Sequence, residues 1–185
     1  MDVEAEKRAL RSAVKARLPR PGSPAHAAAS KAAQVRLLAE TGAALRVGLY
    51  RALPSECGTA LLAGALAEAG KDVCYPVIHP GRRALVFRRA GSGFRPGALG
   101  IDEPTGEEVA LSTLDLLVVP ALAVDPRGHR LGRGRGHYDA TLEGYPGRSV
   151  ALVFEAQIVE KIPAAPHDRQ VTAICSEARF LEVPG

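Results

Sequence analysis

The stretch HRLGRGRGHYDATL, residues 129–142, concentrates the residue types of phosphate chemistry. Gly132, Gly134 and Gly136 alternate with Arg133 and Arg135, and His137, Tyr138 and Asp139 follow. Glycine lets backbone N–H groups approach a polyanion closely. Arginine brings a permanent charge and a planar fork of donors that matches phosphate oxygens. Asp139 offers a hard oxygen ligand to the magnesium ion that accompanies nucleotide phosphates. The apolar run LDLLVVPALAVD ahead of the loop reads as a strand, and a helix after the loop completes a phosphate cradle. Neither GKT/S nor GxGxxG occurs, so the loop is neither a Walker loop nor a dinucleotide fingerprint. Taken alone, the alternation also fits a hairpin that merely needs positive φ.

Three further segments carry polar groups at places where ligands bind. LGIDEP, residues 99–104, presents Asp102 and Glu103, which alone read first as a turn with solvated carboxylates. Tyr50 and Glu56 flank the loop after LRVGLY, and a strand end opening into a helix is a usual binding position in α/β sheets. Glu56 can accept hydrogen bonds from a heterocycle with adjacent N–H donors, or sit in a first helical turn where the macrodipole favours it. Asp168, in PHD at 166–168, precedes a strand and reads as a turn residue or a ligand.

These residues are positioned by alternating helices and strands. Residues 3–18 read as a helix, with Leu10, Val14 and Leu18 four apart and Pro19 as its stop. Its other face carries Lys7, Arg8, Arg11, Lys15 and Arg17, by default a solvated face. After a Pro/Gly/Ser connector at 20–24, Ser23 and Pro24 open an alanine-rich helix closed by Gly42. LRVGLY at 45–50 is a buried strand, and Ser55 is expected to cap a third helix running to Ala69, with Gly70 as its stop. DVCYPVI and ALVFRRA (84–90) are strands, and 91–108 is a Gly/Pro-rich surface excursion. LDLLVVP is the most apolar strand and is placed mid-sheet. SVALVFE and VTAICSE complete a layered α/β arrangement with a largely parallel sheet.

Length and composition bound the rest. A chain of 185 residues with 46% apolar content can bury a core, and one domain over 1–185 is expected. The net charge of +4 favours anionic ligands, although many solvated surfaces share such an excess. Cys57, Cys74 and Cys175 are scattered, which argues against a zinc site and for reduced thiols in the cytoplasm. The N-terminal MDVEAEKRALRSAVKARLPR lacks the apolar stretch of a secretory signal. No run of about 18 apolar residues occurs, so no membrane contact is expected.

Taken in order along the chain, the segments resemble the 5-formyltetrahydrofolate cyclo-ligase family, also called methenyltetrahydrofolate synthetases. KRALR on the first helix, the Y…PSE segment, the EP turn, DLLVVPALAVDPRGHRLGRGRGHYD and the closing FEAQIV-x-x-IP-x-x-x-HD come in the family's order. The resemblance spans nearly the whole chain, and RLGRGRGHYD is its specific part.

The resemblance implies a layered α/β sandwich of the ribose-phosphate isomerase and CoA-transferase type, its largely parallel central sheet flanked by helices. It implies ATP and Mg2+ as cofactors and a cytoplasmic monomer that binds no nucleic acid. The reaction it implies is conversion of 5-formyltetrahydrofolate, in plain or polyglutamylated form, to 5,10-methenyltetrahydrofolate with release of ADP and phosphate. The formyl oxygen would attack the γ-phosphate, and N10 would then displace phosphate from the activated carbon. Lys7, Arg8 and Arg11 would reach the nucleotide phosphates. Arg130, Leu131, Gly132, Arg133, Gly134, Arg135, Gly136, His137, Tyr138 and Asp139 would form the nucleotide loop. Arg133 and Arg135 would act in catalysis by balancing charge on the transferring phosphoryl group. Asp139 and Asp168 would hold magnesium, while Glu56, Tyr138 and, more weakly, Arg51 would meet the folate. Arg51 would meet an anionic tail or point to water.

Two positions depart from the family pattern. His137 stands where an aromatic is usual, and Val124 stands where a bulky aromatic is common, so Val124 would loosen one side of the folate pocket. Two other classes of function remain: a divergent member that binds without turnover, and an RNA-binding protein. The second is a poor match, because a single RGRG loop lacks interleaved base-stacking aromatics.

Overall fold

The computed structural model describes residues 3–91, 93–97, 100–165 and 168–184. The chain begins with α1 (Val3–Lys15), α2 (Pro24–Glu40), β1 (Arg46–Gly48), α3 (Ala60–Glu68), β2 (Asp72–Val77) and β3 (Val86–Arg89). The short strands β4 (Phe94–Arg95), β5 (Glu103–Pro104) and β6 (Glu108–Val109) follow, then β7 (Leu116–Val119), β8 (Ala123–Val124) and β9 (Arg130–Leu131). The chain closes with α4 (His137–Glu143), β10 (Arg148–Leu152), β11 (Ala173–Cys175) and β12 (Phe180–Glu182).

Eight strands form one sheet in the order β12-β11-β10-β7-β1-β2-β3-β6. The five from β11 to β2 are parallel, and β12, β3 and β6 are antiparallel additions at the edges. LDLLVVP therefore lies mid-sheet, as its apolar character predicts, and all four residues of β7 are buried. Side chains alternate across the sheet. Val47, Leu116, Val118, Val150 and Leu152 pack with Leu37 of α2 and Leu62 and Leu66 of α3. Leu117, Val119, Ala151 and Ile174 face the other way, toward Leu142 of α4 and Tyr145. Gly48 sits between the layers on that second face, where a Cβ would come within 2.9 Å of Leu114 Cδ1.

Sequence and structure differ at several element boundaries. The first helix stops at Lys15 rather than at residue 18, because the chain tightens into turns in which Arg17 N–H donates to Val14 O and Leu18 N–H to Lys15 O. Ser23 caps α2 as expected, its hydroxyl accepting from His26 N–H at 3.1 Å. Ser55 caps nothing, and α3 begins at Ala60. Residues 57–59 are held out of the helix by tertiary bonds. Tyr50 Oη donates to Cys57 O at 2.6 Å, Thr59 Oγ1 donates to Tyr50 O at 2.7 Å, and Gly58 N–H donates to Ser30 Oγ at 2.8 Å. The 91–108 excursion is not wholly irregular, since β4 and β5 form a small antiparallel pair and β6 extends the main sheet. The β8–β9 hairpin and the edge strand β12 carry no sequence signal of their own.

Candidate active site

The strand order reverses direction beside β1. The chain passes from β1 through α3 to β2 on one side and later places β7, β10 and β11 on the other. Such a switch point opens a crevice at the carboxyl ends of the strands. A cleft of about 330 Å³ lies there. Tyr50 and Arg51 after β1, Ile78 after β2 and Pro120, Ala121 and Leu122 after β7 contribute to its walls. The closing FEAQ segment braces the wall that follows β7: Gln157 Nε2 donates to Ala121 O at 2.6 Å and to Leu122 O at 3.2 Å.

The glycine–arginine loop forms the opposite wall. Arg130, Gly132, Arg133, Arg135, His137 and Tyr138 all line the cleft. Gly134 and Gly136 have φ of 94° and 69°, a left-handed backbone that a side chain would strain. Gly132 is closed against Arg130, whose Nη1 would lie 2.9 Å from a Cβ there. From α1, Arg11 Nε donates to Gly132 O at 3.1 Å and fixes the loop's start. At the far end His137 opens α4, its Nδ1 2.8 Å from Arg83 O. Arg83, which the sequence did not single out, also lies against Gly136, with Nη2 2.7 Å from where a Cβ would be.

Beneath the loop lies a buried cluster of alternating charge. Arg130 Nη2 donates to Asp139 Oδ1 at 2.8 Å, and the Arg130 side chain is 3% exposed. Burial pushes the Arg130 pKa down, opposed by the charges of Asp139 and Asp168 and by the Tyr138 hydroxyl. Its Nε is buried without a hydrogen bond. Lys7 Nζ donates to Asp168 Oδ2 at 2.6 Å, and the same oxygen accepts from Ala165 N–H at 2.7 Å. Lys7 is therefore not on a solvated face. It lies on the same stripe as Leu10 and Val14, at helical spacing, and that stripe is the one α1 buries. Arg8 is exposed and, among the described residues, makes no hydrogen bond or ion pair. Neither aspartate lines the cleft itself. Pro166 and His167 of the PHD segment lie outside the described residues.

On the folate-expected side, Glu56 lines the cleft from a turn and not from a helix, which removes the macrodipole reading. Both of its oxygens are engaged. Oε2 accepts from Leu53 N–H at 2.9 Å, and Oε1 accepts from Arg133 Nε at 3.0 Å. Arg133 also donates to Ser55 Oγ at 3.1 Å, so the loop and the strand-end turn touch across 77 residues of sequence. Tyr138 stands in the cleft with the Arg130 guanidinium over its ring, 5.5 Å from the centroid. Burial first, then the Glu56 charge, hold the Tyr138 hydroxyl well above its ordinary pKa, so at neutral pH it is a phenol able to donate.

Arg51 lines the cleft with its side chain 37% exposed, 4.2 Å over the Phe94 ring and 3.7 Å from Asp102. Two expectations are corrected here. Val124 is fully buried in the core around Leu142 and Val171 and does not line the cleft, so its size cannot loosen the pocket directly. Of the LGIDEP carboxylates, Asp102 is exposed as expected, but Glu103 is buried on β5 and lines the cleft. Its Oε1 accepts from Ile78 N–H at 3.1 Å. Ile101, Ile78, Pro76 and Leu85 beside it give that end of the cleft its apolar walls, which no short motif announced.

A crevice at the switch point of a parallel sheet, lined by the arginines of a glycine-rich loop and by the carboxylates of Glu56 and Glu103, defines an α/β enzyme domain. The sequence profile of the 5-formyltetrahydrofolate cyclo-ligase family matches residues 3–177, and the chain belongs to that family. It is 34% identical over 142 residues to the 5-formyltetrahydrofolate cyclo-ligase of Mycolicibacterium smegmatis, covering 71% of this chain and 73% of that one. To the Escherichia coli enzyme of the same description it is 32% identical over 145 residues, covering 74% and 80%. The solution structure of Aquifex aeolicus 5,10-methenyltetrahydrofolate synthetase superposes with a TM-score of 0.81 at 26% identity, covering 97% of this chain and 93% of that one. A Mycoplasma pneumoniae 5,10-methenyltetrahydrofolate synthetase shares the fold, with a TM-score of 0.75 at 18% identity over 96% of this chain and 99% of that one.

Proposed function

We propose that this chain closes the ring of 5-formyltetrahydrofolate to give 5,10-methenyltetrahydrofolate, converting ATP to ADP and phosphate. The observation that carries this reading is one cleft whose lining joins Arg130, Arg133 and Arg135 with Glu56, Glu103 and the apolar Pro76, Ile78 and Ile101. The reaction needs both kinds of group together. A formamide oxygen is a poor leaving group, and phosphorylating it requires a phosphoryl donor and a neutral ring in the same crevice.

Arg135, exposed on the loop and without a protein partner among the described residues, is the arginine ready to balance charge on the transferring phosphoryl oxygens. Arg133 takes part by changing partners. The Arg133–Glu56 pair opens when phosphate draws the guanidinium away, which frees a Glu56 oxygen for the pterin N–H donors. Arg11, already against the loop, meets nucleotide phosphate from α1, while Lys7 holds Asp168. Arg8 takes no part. Tyr138 donates its hydroxyl within the cleft.

The oxygen donors suit magnesium better than a softer metal, and each is paired with a buried cation, Arg130 or Lys7, that a metal would replace. Asp139 and Asp168 are hard oxygen ligands around one buried arginine, and no group of three or more His, Cys, Asp or Glu side chains that could cage a metal occurs among the described residues. Mg2+ needs no such cage, because it arrives with waters and phosphate oxygens and takes one or two carboxylates. Asp139 and Asp168 would hold it, and it would draw charge from the β- and γ-phosphates. No helix among the described residues is long and apolar enough to cross a membrane. We place the protein in the cytoplasm as a monomer that binds no nucleic acid and accepts plain or polyglutamylated substrate.

Phosphate release from ATP, measured with and without 5-formyltetrahydrofolate, tests the reading. Release that requires the folate and matches methenyl product one for one is expected. Equal release without folate, or none with both substrates present, rejects it.

A further inference from the structure

Glu103 is not used by the phosphate chemistry and is unusual for a carboxylate. Its residue is 9% exposed, yet its one hydrogen bond comes from Ile78 N–H. Among the described residues no lysine, arginine or histidine lies within 4.0 Å of it, and its second oxygen has no partner. On a side chain that is otherwise buried, the acceptor left open faces the cleft, where a ligand can bring a donor to it. The surrounding backbone is built around it. A Cβ on Gly97 would fall 2.3 Å from Glu103 Cγ and 2.6 Å from its Cδ, so only glycine lets that strand end close on the side chain. Pro76, Ile78 and Ile101 line the same cleft and give it apolar walls. A negative charge there repels phosphate and carboxylate and attracts the N–H edge of a neutral planar ring.

Glu56 makes the contrast plain. Both of its oxygens are bonded within the protein, one of them to Arg133. Of the two carboxylates that line the cleft, Glu103 is therefore the one with an acceptor open.

We propose that Glu103 is a specificity-determining residue of the cleft, accepting hydrogen bonds from ring N–H donors of the reduced pterin. This rests on the folate reading above. Binding then begins at Glu103, and Glu56 joins after Arg133 leaves it.

The test compares wild type with Glu103→Gln and Glu103→Asp, in steady-state kinetics and in calorimetric titration with 5-formyltetrahydrofolate alone. The glutamine keeps an acceptor for Ile78 N–H and sets an NH2 donor against the ligand's donors. A charge-assisted hydrogen bond of this kind is worth about tenfold or more in affinity. Glu103→Gln is expected to raise the KM for folate by about that factor, with kcat within about threefold and the KM for ATP unchanged. Glu103→Asp, which keeps the charge but withdraws it, should fall between. An unchanged folate KM in folded Glu103→Gln overturns the proposal. So does an equal rise in both KM values with a lowered melting temperature, and so does failure of both variants to fold, since each assigns Glu103 to structure. Wild type without folate-dependent phosphate release rejects the enzymatic reading instead. Even then, calorimetry judges Glu103: weaker folate binding in Glu103→Gln supports it, and equal binding overturns it.

Discussion

The tripeptide Arg-Gly-His occurs twice within a dozen residues, at 127–129 and 135–137, and the two copies do opposite things. In the first, the Arg127 guanidinium and the backbone N–H groups of Arg127 and His129 turn inward on Asp125, which is fully buried. Asp125 Oδ1 accepts from Arg127 N–H and His129 N–H, and Oδ2 accepts from Arg127 Nη2 at 2.8 Å and from Ile162 N–H at 3.0 Å. Gly128 closes the turn at φ 83°, against Val171 O. In the second copy no carboxylate stands inside the loop. Gly136 is again left-handed, but Arg135 points its charge at the cleft and Asp139 has moved down to Arg130. The same residues make a turn closed on itself or a loop open to the cleft according to whether an acidic partner within reach consumes the arginine. We propose the second, whose charge is left unspent in the cleft wall, as the functional copy.

The two copies break differently. The largest effect is expected from Asp139→Asn. A neutral amide holds magnesium poorly, and turnover should fall at least about a hundredfold. The structure adds a second consequence: Asp139 neutralises a buried arginine, so the variant also melts at lower temperature. Activity is therefore measured well below the melting transition, over a magnesium series. Wild-type rates at low magnesium would remove Asp139 from the metal site.

Arg135→Ala comes next, with about a hundredfold loss in kcat and little change in stability, because the lost charge acts where the phosphoryl group moves. Arg127→Ala, the matched change in the other copy, should leave both kinetic constants alone and cost about 1 kcal/mol or less, its side chain being half exposed. Equal kinetic effects from the two would erase the distinction between the copies.

Asp125→Ala should leave the cleft's chemistry intact and cost on the order of 3 kcal/mol, since it strands buried N–H donors. The pH dependence has a definite sign. Burial alone would raise the Asp125 pKa, but hydrogen bonds from Ile162 N–H, Arg127 and His129 N–H outweigh it and hold the carboxyl below its ordinary value. A group with a lowered folded pKa contributes its full stability above the unfolded value, and that contribution is lost as pH falls through the folded value. Acid melting curves of wild type and Asp125→Ala should therefore converge at low pH. A gap that stays constant down to the acid transition would remove Asp125's charge from the account of stability.

Much of this was legible in the sequence because it is local. Alternating glycine and arginine can be read without a fold, and so can the Ser23–Pro24 helix start and the apolar run of β7. The buried Lys7 was legible too, on the stripe of Leu10 and Val14, but a default assignment of charged residues to solvent hid it. What could not be read depends on partners far along the chain. Residues 57–59 stay out of α3 because Tyr50 and Ser30 hold them. Arg51 is taken by Phe94 and Asp102, and Glu103 is buried by Gly97 and Ile78. Strands of two residues, such as β8 and β9, hold no period from which to recognise them.

The central claim is that the cleft transfers the γ-phosphoryl group to the formyl oxygen before the ring closes. 5-Formyltetrahydrofolate carrying an isotopic oxygen label in its formyl group, turned over with unlabelled ATP in unlabelled water, tests it directly. Mass analysis of the released phosphate should find the label there, one atom for each methenyl product formed. Phosphate free of label, with the labelled oxygen recovered in water, would contradict the account.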